Sequence, residues 1–445
     1  LAEQAAPAPH AAHTGRHHWQ NWGRSAESHP VHIAYPTSTA EVVAVVQHAV
    51  AAGHPVKAVG ASHSFTPIGA TDGVLLRLDR MASIVAVDEQ TARVRVQAGI
   101  SLHDLNPLLL ARGLALPNLG DVDPQSVAGA ISTGTHGTGG RLFGISAAVV
   151  GVQLVTAAGD VLEIDEQHPW FGASRVTLGA LGIVTEVTLQ CVPAFLLHAR
   201  EEPMPLQAVM EQLDPLVDDN DHFEFYWFPH TTKTLTKRNN RVPEGTPKQP
   251  LGRVRRWVDD ELLSNVAFEG LNRVVSRRRS WIPRVNAVAA SVLSAREYVD
   301  DSFGVFVSSR DVRFRESEFA MPREALPHVL DELAAWFGAG HDAISFPIEV
   351  RFTAADDVWM STGHERDNCY VAVHQYWRSD YRHYFAAAQD IFTAHGGRPH
   401  WGKIHSLDAS YFRRTYSRFD DFVAVRDELD PGRTFSNPYL ERVLG

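Results

Sequence analysis

The spacing of apolar positions changes several times along the chain, and the first clear run is helical. Between Pro36 and Val59, Ser38-Thr39-Ala40-Glu41 has the form of a capping box, and Val42, Val45, Val46 and Val50 recur at a spacing that places them on one helical face. Gly53 closes that helix, because glycine takes a left-handed turn without a Cβ penalty, and Pro55 to Val59 then predicts a strand. The period falls to two at 84–87 and 92–96, where Arg93 and Arg95 alternate with Val94 and Val96 as in a half-buried hairpin. A capped helix over 101–112 ends at Gly113. Residues 149–156 and 161–164 predict a second hairpin around Ala158-Gly159-Asp160, and 183–191 a β-branched strand after the turn from Gly179 to Gly182.

The texture changes at Pro193, which marks a domain boundary. An acidic, helix-like stretch over 206–218 precedes an aromatic strand at 223–228 and a polar, basic region through Arg279. Beyond it, strands at 345–352 and 370–376 alternate with helices at 323–337 and 383–395. The pattern predicts an α+β protein, and the absence of any 20–50-residue repeat excludes solenoids and propellers.

Composition narrows the function classes. The chain has 445 residues, enough for two or three packed domains, and a formal net charge of -11, which argues against general nucleic-acid binding. The run Arg277-Arg278-Arg279 reads as a solvated helix face or loop. No apolar stretch reaches the roughly 20 residues that span a bilayer, so a soluble chain is expected. Cys191 and Cys369 read as small buried hydrophobes, and the 23 histidines show no ligand spacing, so no metal is expected. The Ala-, Pro- and His-rich start predicts a flexible lead-in over 1–21. A removed signal peptide would leave the same trace; the expected compartment is the cytoplasm, with secretion or membrane association left open.

The chain has no G-x-G-x-x-G opening a helix, no Walker loop, no H-E-x-x-H and no G-x-S-x-G. Two glycine-rich segments remain, Val59-Gly60-Ala61-Ser62-His63-Ser64-Phe65 directly after a predicted strand, and Gly129-Ala130-Ile131-Ser132-Thr133-Gly134-Thr135-His136-Gly137-Thr138-Gly139-Gly140. Glycine lets backbone N–H groups approach an anion closely, so both suit a phosphate cradle, although such turns are also common as plain loops. Glu349 and Arg351 lie two apart on a predicted strand and so share a face, where they can bind a polyol together or form a structural salt bridge.

Taken together, these segments resemble the vanillyl-alcohol-oxidase-like (PCMH-type) FAD flavoproteins. Within them the sugar-1,4-lactone oxidoreductases are the best match, through Gly120-Asp121-Val122-Asp123-Pro124-Gln125-Ser126, Phe346-Pro347-Ile348-Glu349-Val350-Arg351 and Arg398-Pro399-His400-Trp401-Gly402-Lys403. The resemblance runs from about Trp22 to Gly445. It implies a two-subdomain FAD-binding domain over 22–193, an α+β substrate (cap) domain with an antiparallel sheet over 194–405, and a C-terminal segment, 406–445, returning to the FAD domain.

It further implies FAD bound covalently through its 8α-methyl group to His63, a tether that raises the flavin's oxidising power. The cofactor-binding set it implies is Gly60, Ala61, Ser62, Ser64, Ser126, Gly129, Ser132, Thr133, Gly134, Thr135, His136, Gly137, Gly182, Ile183 and Val184, with His136 open to a purely structural role. Glu349, Arg351 and Lys403 would line the catalytic pocket, with Ala130 and His400 on the substrate side, Trp401 in the core, and Gly129-Ala130 as a steric gate for oxygen. Hydride transfer to a flavin needs the substrate hydroxyl proton removed and the developing negative charge stabilised. Arg351 or Lys403 can serve the charge, and Glu349 or a lysine of lowered pKa can take the proton.

The substrate implied is an aldono-1,4-lactone such as an L-gulono- or D-arabinono-lactone, with an alditol (xylitol or sorbitol) oxidase as the alternative and a catalytically inactive flavin-binding module as the reading from another class. Oxygen or an artificial or respiratory acceptor would reoxidise the flavin. Oligomeric state is not readable from the chain.

Overall fold

A computed structural model describes residues 17–252, 268–275, 278–291, 293–307 and 312–445. The first helix, Thr39–Ala51, begins where Ser38 Oγ accepts the Glu41 N–H at 3.3 Å. The capping box is not reciprocal, because the Glu41 carboxylate turns outward to the backbone N–H and hydroxyl of Thr37. Val42, Val46 and Ala49 form the buried face, whereas Val50, expected there, is 43% exposed. At 3.6 residues per turn, Ala49 rather than Val50 completes the stripe begun by Val42.

That helix connects His32–Ala34 to Val56–Val59 in a three-stranded parallel sheet whose central strand is Val74–Arg77. An antiparallel five-stranded sheet follows, in the order Val161–Asp165, Val149–Val155, Ile183–Gln190, Arg93–Gln97, Ile84–Asp88. Valines and leucines from both sheets share one core, which the C-terminal stretch completes with Phe412, Phe422, Phe435 and Tyr439. Thr434 O accepts the Val56 N–H at 2.8 Å, and the Asn437 amide donates to the carbonyls of Pro67, Ile68 and Ala70. Within the part of the lead-in that is described, Trp19–Gln20 pairs with Glu27–Ser28, and the buried Trp19 indole donates to Ser62 Oγ. Burial of this one large side chain outweighs the flexible composition around it.

The second core lies behind an eight-stranded antiparallel sheet, ordered Arg296–Asp301, Leu196–Pro205, Lys233–Arg241, His222–Trp227, Ile348–Thr353, Asn368–Tyr376, Phe314–Pro322, Arg398–Pro399. Phe223, Phe225, Phe319, Val350, Phe352, Val371 and Val373 face one way and meet the helices Leu326–Gly338 and Arg382–Ala394. The single helix expected over 206–218 is two, Leu206–Glu211 and Leu213–Asp218, since Pro215 has no N–H for the Glu211 carbonyl. The strand expected from 345 starts at Ile348, after Pro347, which cannot donate to a ladder. Both cysteines are buried and free. Arg277 of the basic run lies outside the described residues, and Arg278 lies over the Trp281 ring. Among the described residues no helix is long and apolar enough to cross a membrane.

Candidate active site

Two adjoining cavities meet at His63. The first lies between the parallel and antiparallel sheets and is walled by three segments, 57–64, 125–129 and 177–182. Gly60 is required there, because a Cβ would fall 2.2 Å from Ser126 Oγ. Ser62 (φ +60°), Gly179 (φ +61°) and Gly182 (φ +153°) hold the left-handed conformations that turn the walls toward the cavity. Ile68, Leu78 and Val184 add apolar lining. Apolar walls joined to glycine turns fit a dinucleotide, whose rings and phosphates need both.

The second cavity is charged. Strand alternation explains why. The residues between the core-facing ones project to the opposite face, so Glu224, Tyr226, Glu349, Arg351, Glu316, Glu318 and His374 share one side of four adjacent strands. In the register Glu349 pairs with Ala372 and Ala372 with Glu318, so a small residue separates two carboxylates. Of the residues on that side, Glu316, Glu318, Glu349 and Arg351 line the cavity, joined by His400, Lys403 and, from the loop after Gly120, Asp121.

Burying this much charge demands pairing. Arg351 meets Glu349, Glu224 at 3.0 Å and Asp121 at 3.2 Å; burial works against its charge, but these carboxylates hold its pKa well above the ordinary value. The Tyr226 hydroxyl donates to Glu349 at 2.8 Å. Lys403 Nζ lies 2.5 Å from Glu316, and although burial favours the neutral amine, Glu316 and Glu318 raise its pKa. Lys403 is therefore a fixed cation, not the lysine of lowered pKa that a base would need. Burial, then Lys403, pushes His63 down to about 4, leaving a neutral imidazole. Trp22 stacks on that ring, 5.4 Å between centroids.

His136, Glu318 and His400 cluster with their polar atoms within 4.8 Å of one another. His136 lies 3.3 Å from Glu318 and stacks on Tyr370. Burial works to raise Glu318, yet His136, Lys403 and His400 hold it below the usual carboxylate range. His400 Nδ1 accepts the Gly402 N–H at 3.0 Å, so Nε2 keeps its hydrogen and the cluster is a hydrogen-bonded charge network.

Of the residues singled out from the sequence, Gly60, Ala61, Ser62, His63, Ser64, Ser126, Gly129, Ser132, Thr133, Gly182 and Val184 line the first cavity. Thr135, His136, Glu349, Arg351, His400 and Lys403 line the second. Ala130, Gly134, Gly137 and Ile183 line neither. Ala130 is fully buried in the helix Val127–Ser132, and Ile183 faces the core because it alternates with Val184. Gly134 and Gly137 shape their loop, the latter packing 2.2 Å, at a Cβ position, from Leu119 O. Trp401 is core, donating to Met360 O. Sequence reading missed Asp121, Glu224, Tyr226, Glu316, Glu318 and His374. The signal was present in the strand His222–Trp227, where polar residues occupy every second position and aromatic ones the others.

Known proteins agree with this geometry. The family profile described as D-arabinono-1,4-lactone oxidase matches residues 187–443, and that described as FAD binding domain matches 30–165. The chain is 43% identical over 427 residues to the L-gulono-1,4-lactone dehydrogenase of Mycobacterium tuberculosis (strain H37Rv), covering 96% of this chain and 99% of the relative. It is 34% identical to the L-gulonolactone oxidase of Scyliorhinus torazame, with 96% and 98% covered. The fold superposes on cholesterol oxidase from B. sterolicum with a TM-score of 0.78 at 17% identity, over 99% of this chain and 100% of that one.

Proposed function

The chain belongs to the D-arabinono-1,4-lactone oxidase family of FAD-dependent oxidoreductases acting on CH–OH groups, and from that premise we propose that it oxidises an aldono-1,4-lactone of the L-gulono or D-arabinono type. The substrate hydroxyl next to the lactone carbonyl is the reacting group. FAD, when bound, supplies the acceptor for the hydride that leaves the carbinol carbon. We assign residues 22–193 to FAD, 194–405 to substrate, and 406–445 to the segment that closes the FAD domain.

The observation that carries this reading is the position of His63, which lines both the glycine-walled cavity and the charged cleft. A neutral imidazole at that junction has the lone pair needed to bond the 8α carbon of a flavin, so His63 is the proposed covalent anchor. In the cleft, Arg351 and Lys403 stay cationic and stabilise the negative charge that develops as the hydride leaves. Of the two candidate bases read from the sequence, Glu349 and a lysine of lowered pKa, the first is assigned the hydroxyl proton, oriented by Tyr226 and Arg351. His400 and the Ala372 gap between Glu349 and Glu318 offer room and polarity for the ring hydroxyls.

The test is acid precipitation followed by mass spectrometry of the flavin-bearing peptide, then turnover of L-gulono-1,4-lactone, D-arabinono-1,4-lactone, xylitol and sorbitol with oxygen or a dye as acceptor. A flavin mass on the His63 peptide and turnover of a lactone support the reading. Preference for xylitol or sorbitol assigns an alditol oxidase instead, and a colourless protein defeats the reading. The acceptor that works identifies oxidase or dehydrogenase. The cytoplasmic location belongs to the same proposal and is checked by fractionation.

A further inference from the structure

Lys57 carries a charge that the chemistry above leaves unused. It lies on the strand Val56–Val59, three residues before Gly60, is 2% exposed, and lines the first cavity. Its Nζ donates to Gly179 O at 2.8 Å and to Phe435 O at 3.0 Å. Gly179 belongs to the opposite wall of the cavity, and Phe435 to the returning C-terminal segment. One ammonium therefore joins the strand that leads into the His63 loop, the turn that faces it across the cavity, and the segment that closes the domain. Gly179 suits this contact twice over: its φ is +61°, and a Cβ there would approach Nζ to 3.2 Å. The Phe435 carbonyl is itself held in place, since the Asp430 carboxylate accepts the N–H groups of Thr434 and Phe435 at 2.8 and 2.7 Å.

Resting on the reading of the first cavity as the FAD site, we propose that Lys57 is a positioning residue that clasps the two walls of that cavity and the C-terminal segment around the dinucleotide. Charge-assisted hydrogen bonds are roughly twice as strong as neutral ones, so the clasp is firm while the amine is protonated and weak once it is not. Burial pushes Lys57 down to about 7, and Asp430, the charged group that faces it, works in the opposite direction. Gly179 and Phe435 present only carbonyls. The clasp therefore loosens as pH rises through the neutral range, and an enzyme with a firm clasp below that range holds its cofactor more loosely above it.

Flavin release, followed by fluorescence from pH 6 to 9, tests this in an H63A background, where the present reading leaves FAD held without a bond to the protein. In H63A, release should quicken about tenfold as pH rises through the neutral range. In H63A/K57M it should be fast at every pH, and in H63A/D430N the step should move to lower pH. A flat profile in H63A, or the same step surviving in H63A/K57M, overturns the proposal. Should the K57M variant fail to fold, as judged by its melting, H63A/D430N decides alone: an unmoved step overturns the clasp. H63A/G60V keeps the two readings apart, because its side chain fills the cavity wall against Ser126. If that variant retains FAD as well as H63A does, the assignment of the cavity fails; if it loses FAD while the Lys57 results are flat, only the clasp fails.

Discussion

Replacing Glu316 by glutamine should shift the alkaline limb of the reaction and leave the acid limb in place. Lys403 Nζ lies 2.5 Å from Glu316, with Glu318 and Asp121 as further anionic neighbours, and 21% of its side chain is open to the cleft. Glutamine keeps the size and one oxygen acceptor but removes the charge. Two unit charges about 4 Å apart at an effective dielectric of about 20 interact by about 4 kcal/mol. Halving that for the open edge of the cleft and the carboxylates that remain leaves about 2 kcal/mol, a change in proton affinity of about 30-fold. The sign follows from the raised pKa of Lys403: its charge is complete at low pH and is lost as pH rises through the folded-state value, so E316Q brings that loss to lower pH by about 1.5 pH units. The assay is anaerobic stopped-flow bleaching of the flavin by saturating L-gulono-1,4-lactone from pH 6 to 11. Coincident alkaline limbs in the two proteins, or a uniform fall in rate with an unchanged profile, would refute the idea that Lys403 acts as a cation set by Glu316.

H63A should release its flavin to the supernatant on acid precipitation, and flavin retained on the polypeptide would show that the anchor lies elsewhere. R351M removes a cation shared by Glu349, Glu224 and Asp121, so thermal melting should fall by the equivalent of about 3 to 5 kcal/mol; an unchanged melting temperature would mean that the cluster is not charged as described. Y226F should slow turnover about tenfold with the melting temperature nearly kept, because one hydrogen bond to Glu349 is lost; full activity would remove Glu349 orientation from the mechanism. Burial pushes His222 down to about 4 and His405 to about 3, so the unfolded chain binds more protons than the native one below about pH 6.5, and stability should decline as pH falls from there. H405Q should flatten that decline by roughly 1 kcal/mol per pH unit, read from melting curves between pH 4 and 7.

Much of the layout follows from local rules that the chain obeys by itself. The capped helix after Pro36, the Arg93–Gln97 strand with its alternating arginines and valines, and the left-handed glycines at 53 and 179 depend on neighbours a few residues away. Glu349 and Arg351 were legible as a pair because a period of two places them on one face whatever lies opposite. Which face that is, and what meets them there, depends on strand order. Glu224, Glu316, Glu318 and His374 come from strands far apart in sequence, and only the pairing of His222–Trp227 with Ile348–Thr353, and of Phe314–Pro322 with Asn368–Tyr376, brings them together. The charge state of Lys403 was likewise beyond local reading, since it is the balance between burial and the carboxylates of a strand 87 residues away. Lys57 is by sequence one polar residue in an apolar strand, and its contacts to the carbonyls of Gly179 and Phe435 span 122 and 378 residues. Sequence alone determined many of the local elements and the glycine-rich loops. Tertiary structure decided which charges are buried together, because burial and Coulomb energy depend on separation in space, and chain distance says little about that.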